Sequence, residues 1–261
     1  MPSQPPPFQR LFVTGALGTV ASLILPQLAK VTGLSLSDIV AGEAHGMPVA
    51  ACDLMDFSAL VHRMQGCDAV LHLAIASGRH FPVRTAAADQ LSPFDAATLE
   101  VNTRGTYHLF EAARRAGVRR FILMSSLTVL HGYPSAEERS RADLIPIPSK
   151  LYAVTKLFSE EIGSLYHREH GLEVITLRLG QPYPLGTEHD IASLATAEGR
   201  QLAAHREDIA AGVLAALRTP ATYGIFNLIS RGDPYSFDLS VNVPLGYTPA
   251  YTFHADGPKL T

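Results

Sequence analysis

Tyr152 and Lys156 stand four residues apart in a stretch, Leu151 to His170, whose apolar spacing predicts a long helix closed by Gly171. An i, i+4 pair lies on one helical face, one turn apart. An ammonium beside a phenol favours the phenolate and draws its pKa down from about 10 toward neutrality. A tyrosine so tuned can take a proton from a hydroxyl or return one. The spacing alone is common, so the chemistry needs companions. Ser125 and Ser126 end the predicted strand Arg120 to Ser125, where a hydroxyl can orient a substrate oxygen. Asn102 sits near the start of another predicted helix, Leu99 to Ala116, closed by Gly117.

A second constellation opens the chain. Gly15, Leu17, Gly18, Thr19 and Ala21 join the predicted strand Arg10 to Thr14 to the predicted helix Gly18 to Lys30. Glycines there let the backbone turn tightly and approach a pyrophosphate seated on the helix N-terminus, and Ala21 is small enough for close helix–strand packing. Asp38 follows at the end of the next predicted strand. Its carboxylate can accept both hydroxyls of an adenosine ribose and repels a 2′-phosphate, which favours NAD over NADP. Asp53 and Leu54 follow a third strand, Pro48 to Ala51, where they can flank adenine. Leu73 and Ala74 end a fourth, Ala69 to Leu73, and would line the dinucleotide path.

The elements that must position these residues alternate. Besides those above, Leu34 to Ser37 and Glu173 to Leu179 read as strands, and Phe57 to Gln65 and Asp208 to Leu217 as helices. The pattern implies an α/β fold with a doubly wound parallel sheet of Rossmann type and a small C-terminal substrate-binding appendage. The expected divisions are a disordered arm over 1–9, a dinucleotide-binding domain with the catalytic residues over 10–180, and the substrate-binding region over 181–261. The stretch Ser77 to Ala97 reads as a polar loop carrying Arg79, His80 and Arg84.

Composition narrows the class. With 261 residues, 47% hydrophobic and 17% charged, the chain suits a packed globular domain. A formal charge of −3 gives no basic excess for a nucleic-acid partner. No segment reads as membrane-spanning, since Leu11 to Leu28 is interrupted by Gly15, Gly18 and Pro26. Cys52 and Cys67 make no disulfide framework, which fits a cytoplasmic setting. The histidines His72, His108 and His131 are scattered, so no metal site is expected. His72 reads as a core histidine with its nitrogens satisfied, and His131 as a wall of the catalytic pocket.

Taken in order, the glycine turn, Asp38, Asn102, Ser126 and the Tyr152–Lys156 pair resemble the extended short-chain dehydrogenase/reductase family, also called the NAD-dependent epimerase/dehydratase family, from about Leu11 to Gly186. The resemblance implies that Tyr152 is the general base in oxidation and that Lys156 holds the nicotinamide ribose and lowers the tyrosine pKa. It implies that Ser126 bonds the reacting oxygen, that Asn102 supports the cofactor pocket, and that two subunits pair through the two long helices. Leu127, Thr128 and Val129 stand where sugar-nucleotide dehydratases carry acids, which argues against dehydration. The C-terminal stretches Arg206 to Ala210, Gly224 to Leu228 and Leu245 to Pro249 are similar to those of uronate dehydrogenases, which oxidise a free sugar acid to a lactone. That similarity implies substrate contacts at Ser77, Gln181 and Arg200, the arginine facing a carboxylate. Leu127 and Thr128 also replace that family's asparagine and histidine, which leaves a neutral sugar open as substrate. A sugar or nucleotide-sugar epimerase remains the second reading, and a non-catalytic dinucleotide sensor a third.

Overall fold

The computed structural model describes residues 8–77, 92–141, 144–186, 190, 194–234 and 236–261. Strands β1 (Arg10–Thr14), β2 (Gly33–Asp38), β3 (Gly42–Ala44), β4 (Met47–Ala51), β5 (Ala69–His72), β6 (Arg120–Ser126), β7 (Glu173–Leu179) and β10 (Tyr223–Leu228) form one eight-stranded sheet. Its order is β10-β7-β6-β5-β1-β2-β4-β3, parallel throughout except that β3 runs antiparallel to β4.

Burial on both faces explains the apolar runs of the central strands β1, β5, β6 and β7. Along β1, Leu11 and Val13 enter one core cluster and Phe12 the other. Along β6, Ile122 and Met124 enter the first, and Phe121 and Leu123 the second. The first cluster is covered by α1 (Thr19–Leu28) and α8 (Arg206–Arg218). The second is covered by α2 (Phe57–Arg63), α4 (Thr106–Arg115) and α6 (Leu151–His170). Phe110 of α4 stacks on Phe121 of β6 with ring centroids 3.8 Å apart. At Gly163 of α6 an added Cβ would come 3.0 Å from Val174 Cγ1, so this helix lies close on β7.

The chain winds outward from β1 through β2 and β4, then returns to β5 on the other side of β1. A crevice therefore opens at the C-terminal ends of β1 and β5, where such sheets bind ligands. Four smaller features differ from the sequence expectations. Helix α3 (Pro93–Leu99) begins within the end of the expected loop, because Ser92 caps it and Pro93 occupies its first turn, where a missing N–H costs nothing. The helix expected from Leu99 is wider at its start, with a π turn over Glu100–Gly105 leading into α4. Phe8, assigned to a disordered arm, is 1% exposed and lies under the Arg119 and Arg120 guanidinium groups; residues 1–7 of that arm lie outside the described residues. Finally, β10 and α8, which fall in the region expected to be an appendage, complete the main sheet and one of its helical layers.

Beyond these, β8 (Gln181–Tyr183) pairs with β9 (Ala203–His205), α7 (Ala197–Leu202) precedes β9, and β11 (Arg231–Gly232), β12 (Tyr251–His254) and β13 (Gly257–Leu260) form a small three-stranded sheet.

One buried guanidinium joins the two ends of the architecture. Arg120, 4% exposed, donates to Glu173 Oε2 at 2.7 Å and to the carbonyls of Ala216, Thr219 and Ala221 at 2.8–3.0 Å. It thus pairs with a carboxylate on β7 and satisfies carbonyls left open at the end of α8. Arg120→Met should strand these acceptors and cost about 3–5 kcal/mol. A thermal melt should register that as a drop of roughly 10 °C; an unchanged melting temperature would contradict this role.

Candidate active site

The crevice between β1 and β5 is a groove of about 670 Å³. Gly15, Leu17, Gly18 and Thr19 line it, together with Asp38, Asp53 and Leu54 and with Leu73, Ala74 and Ser77. Gly15 adopts φ +69, and a Cβ there would lie 2.7 Å from Ala74 N, so the turn depends on the missing side chain. The turn is closed by Gly18 N donating to Gly15 O at 3.0 Å. Asp38 is fixed by two backbone donors: Leu17 N at 2.9 Å on Oδ2 and Ile39 N at 2.7 Å on Oδ1. A carboxylate has about four acceptor positions, so two remain for a ribose diol. Asp53 Oδ1 accepts from Met55 N at 2.9 Å. The shape, the cradle that a Cβ would fill and the carboxylate in its lining fit an NAD molecule, with its pyrophosphate on the N-terminus of α1.

Asn102 connects this groove to the chemistry. It lies in the π turn, 2% exposed, next to groove-lining Val101. Its Oδ1 accepts from Ala76 N at 2.8 Å, and its Nδ2 donates to Thr155 Oγ1 at 3.2 Å. Ala76 follows β5, and Thr155 lies between Tyr152 and Lys156 on α6. The widened turn is what lets one side chain bridge both.

Ser126 ends β6, and its hydroxyl acts on the Tyr152 phenol in the direction that favours phenolate. Lys156, 4% exposed, donates from Nζ to Met124 O at 2.9 Å and lies 5.7 Å from the centroid of the Tyr152 ring. The three residues expected to do the chemistry are therefore together, and none of them lines the groove. The electrostatics differ from the expectation. Burial pushes the Tyr152 phenol up to about 12, and the Ser126 hydrogen bond works against that rise. Burial brings Lys156 down to about 8, partly offset by the Glu160 carboxylate. Here the serine is the group that favours phenolate, because the lysine ammonium is directed to a backbone carbonyl.

Glu160 was not anticipated. It lies one turn beyond Lys156 on α6, 3% exposed, and accepts from Ser125 Oγ at 2.6 Å and from Arg178 at 3.0 and 2.7 Å. Ser125 and Arg178 are paired across β6 and β7. A carboxylate four residues after Lys156 was visible in the sequence; its arginine partner on another strand was not.

Other expectations resolve individually. His72 is a satisfied core histidine: Nδ1 meets Thr14 Oγ1 at 2.8 Å and Nε2 meets Thr106 Oγ1 at 3.0 Å, and burial lowers its pKa to about 3. His131 is half-buried, with its pKa lowered by burial and by Arg139. Gln181 begins β8 and is half-buried. Arg200 donates to Leu194 O at 2.8 Å and to Asp233 O at 2.7 Å and does not line the groove. Arg79, His80 and Arg84 lie outside the described residues. Among the described residues no cluster of three metal-ligating side chains occurs, and no helix is long and apolar enough to cross a membrane.

Comparison with known proteins places this geometry among relatives. The model of the NAD dependent epimerase/dehydratase family matches residues 11–228. A uronate dehydrogenase of Pseudomonas putida is 31% identical over 182 residues, 68% of this chain and 63% of that protein, so the match spans less than two thirds of the relative's length. An L-arabinose 1-dehydrogenase (NAD(P)(+)) of Haloferax volcanii is 34% identical over 182 residues, 66% of each chain. The crystal structure of uronate dehydrogenase from Agrobacterium tumefaciens is 27% identical with a TM-score of 0.75, covering 95% of this chain and 86% of that one.

Gly15→Ala should lower NAD affinity roughly tenfold or more, through strain at positive φ and collision with Ala74. Calorimetric titration with NAD checks this, and a wild-type dissociation constant would remove the turn from the cofactor site.

Proposed function

Because the chain belongs to the NAD-dependent epimerase/dehydratase family, we propose that it is an NAD-dependent dehydrogenase oxidising a hydroxyl of a free sugar acid or sugar. The observation that carries this reading is the joining of Ser126, Tyr152 and Lys156 in one molecule with a groove lined by Gly15, Gly18 and Asp38, the two linked through Asn102. The uronate and arabinose dehydrogenases among its relatives support the substrate class.

NAD, when bound, supplies the hydride acceptor. Gly15, Leu17, Gly18 and Thr19 hold its pyrophosphate end, Asp38 its adenosine ribose, and Asp53, Leu54, Leu73 and Ala74 its flanks. Asn102 fixes the wall between groove and α6. Ser126 donates to the reacting oxygen and Tyr152, as phenolate, accepts the proton leaving it. Lys156 keeps donors beyond the one on Met124, and these serve a nicotinamide ribose. Ser77 and Gln181 contact substrate. Arg200 spends two of its five N–H donors on the carbonyls of Leu194 and Asp233, which leaves others for a substrate carboxylate. Residues 10–180 bind the cofactor and carry the catalytic groups, and substrate contacts come from the segments after Gly180.

NADH absorbance with a panel of free uronates and neutral aldoses tests the reading. Tyr152→Phe should lose roughly 10²–10⁴-fold in turnover with NAD affinity kept. With the phenol held near 12, its base form is scarce at neutral pH, so oxidation should accelerate from pH 6 toward 8. Near-normal turnover in the phenylalanine variant would sink the assignment. Absent NADH with tightly retained cofactor would favour an epimerase.

The same reading extends to assembly and setting. Leu99 and Tyr107 on one long helix and Val154, Phe158 and Leu165 on α6 are apolar and 39–48% exposed. A homodimer joined through these helices would cover them. Phe158→Glu should shift the protein from dimer to monomer in light scattering, and a monomeric wild type would exclude the assembly. Both cysteines are free and buried, in keeping with a cytoplasmic protein.

A further inference from the structure

Ser126 ends β6 and caps the short 3₁₀ turn Leu127–Leu130. Its Oγ accepts from two donors on one residue: Thr128 N at 3.2 Å and Thr128 Oγ1 at 3.0 Å. A serine hydroxyl has two acceptor positions and one donor. With both acceptors filled, the O–H can act only as a donor. Leu127, Val129 and Leu130 are buried in a cluster with Ile229 and Phe237, which anchors the turn and leaves half-buried Thr128 facing Ser126. A β-branched side chain is stiff at χ1, so Thr128 Oγ1 is held in place.

We propose that Thr128 is a positioning residue that locks Ser126 as a hydrogen-bond donor, so that the proton of the substrate hydroxyl can leave only to Tyr152. The role in catalysis rests on the dehydrogenase reading above. A freely rotating serine would spend time offering a lone pair to the substrate O–H and would compete with Tyr152 for its proton. A serine that only donates instead stabilises negative charge on the substrate oxygen or on the phenolate. The lowering influence of Ser126 on the Tyr152 phenol agrees with this direction. The group acting on that phenol besides burial is Ser126 from β6; Lys156, 5.7 Å from the ring centroid, faces Glu160 on α6 and His72 on β5.

The experiment compares wild type, Thr128→Val and Thr128→Ser. Valine keeps the shape and the backbone donor but removes the hydroxyl; Thr128→Ala replaces it should the valine variant fail to fold. The Tyr152 phenol is titrated by carbon NMR of labelled tyrosine in the NAD complex, with Tyr152→Phe assigning the signal. Turnover is measured across pH in parallel. In Thr128→Val the phenol pKa should rise by about half a pH unit, and kcat should fall roughly five- to tenfold with KM and NAD affinity unchanged. Thr128→Ser should restore both. An unmoved phenol pKa in Thr128→Val, or a serine variant no better than the valine, would overturn the lock. A moved pKa in a wild-type protein that reduces no NAD would keep the lock and overturn the dehydrogenase reading instead.

Discussion

A buried ammonium cannot be left alone, and much of the catalytic half is arranged around that rule. Lys156 is carried into the interior by a helix pressed close to the sheet, and it donates one hydrogen bond to the carbonyl of Met124. Its charge is supported by Glu160, whose own burial needs two more partners, Arg178 and Ser125. Each partner is placed by a different strand, and the two strands are neighbours. The chain of obligations therefore sets how α6 sits on β6 and β7. Because Tyr152 rides on the same helix and Ser126 follows Ser125, it sets the relative placement of Tyr152 and Ser126 too. Such networks give uniqueness of arrangement only when every member is satisfied.

The cofactor groove and the chemistry are built by different means. At the groove, backbone does the work: a turn that only glycine can make, a helix N-terminus and a carboxylate fixed by two amides. At the chemical end, side chains work through one another. The Asn102 amide spans the two regimes, from the backbone after β5 to a hydroxyl on α6. The His72 imidazole, held between hydroxyls of β1 and α4, keeps the same two layers in step from within. The cleft and the base are thus coupled by short polar contacts and not by packing alone.

What the sequence made legible followed from local periodicity. The strands Arg10–Thr14 and Glu173–Leu179 and the helix Leu151–His170 have the spans that their patterns predict. The glycine turn, Asp38 and the Tyr152–Lys156 spacing were readable because each is encoded within a few residues. What failed was encoded elsewhere. Helix α3 was hidden because Pro93 reads as a breaker unless its place in the first turn is known. The shift of Tyr152 depended on which way the Lys156 ammonium points, and spacing does not record direction. Arg178, Arg120 and the carbonyls of α8 meet only after the sheet has formed. Arg200, read as a carboxylate clamp, donates to two backbone carbonyls, one six residues before it and the other 33 residues after it.

The position of β10 bears on how such a protein can be recombined. A junction at Gly180 looks natural by eye, since it separates the nucleotide-binding motifs from the rest. Yet β10 is an edge of the main sheet, α8 seals one of its layers, and Arg120 is satisfied largely by carbonyls at the end of that helix. A chimera cut at Gly180 would import an edge strand and a covering helix evolved against another core. The interchangeable part is narrower: the crossing segment between Gly180 and His205, and whatever follows Leu228. Those two pieces can be exchanged while β10 and α8 stay with the parent sheet.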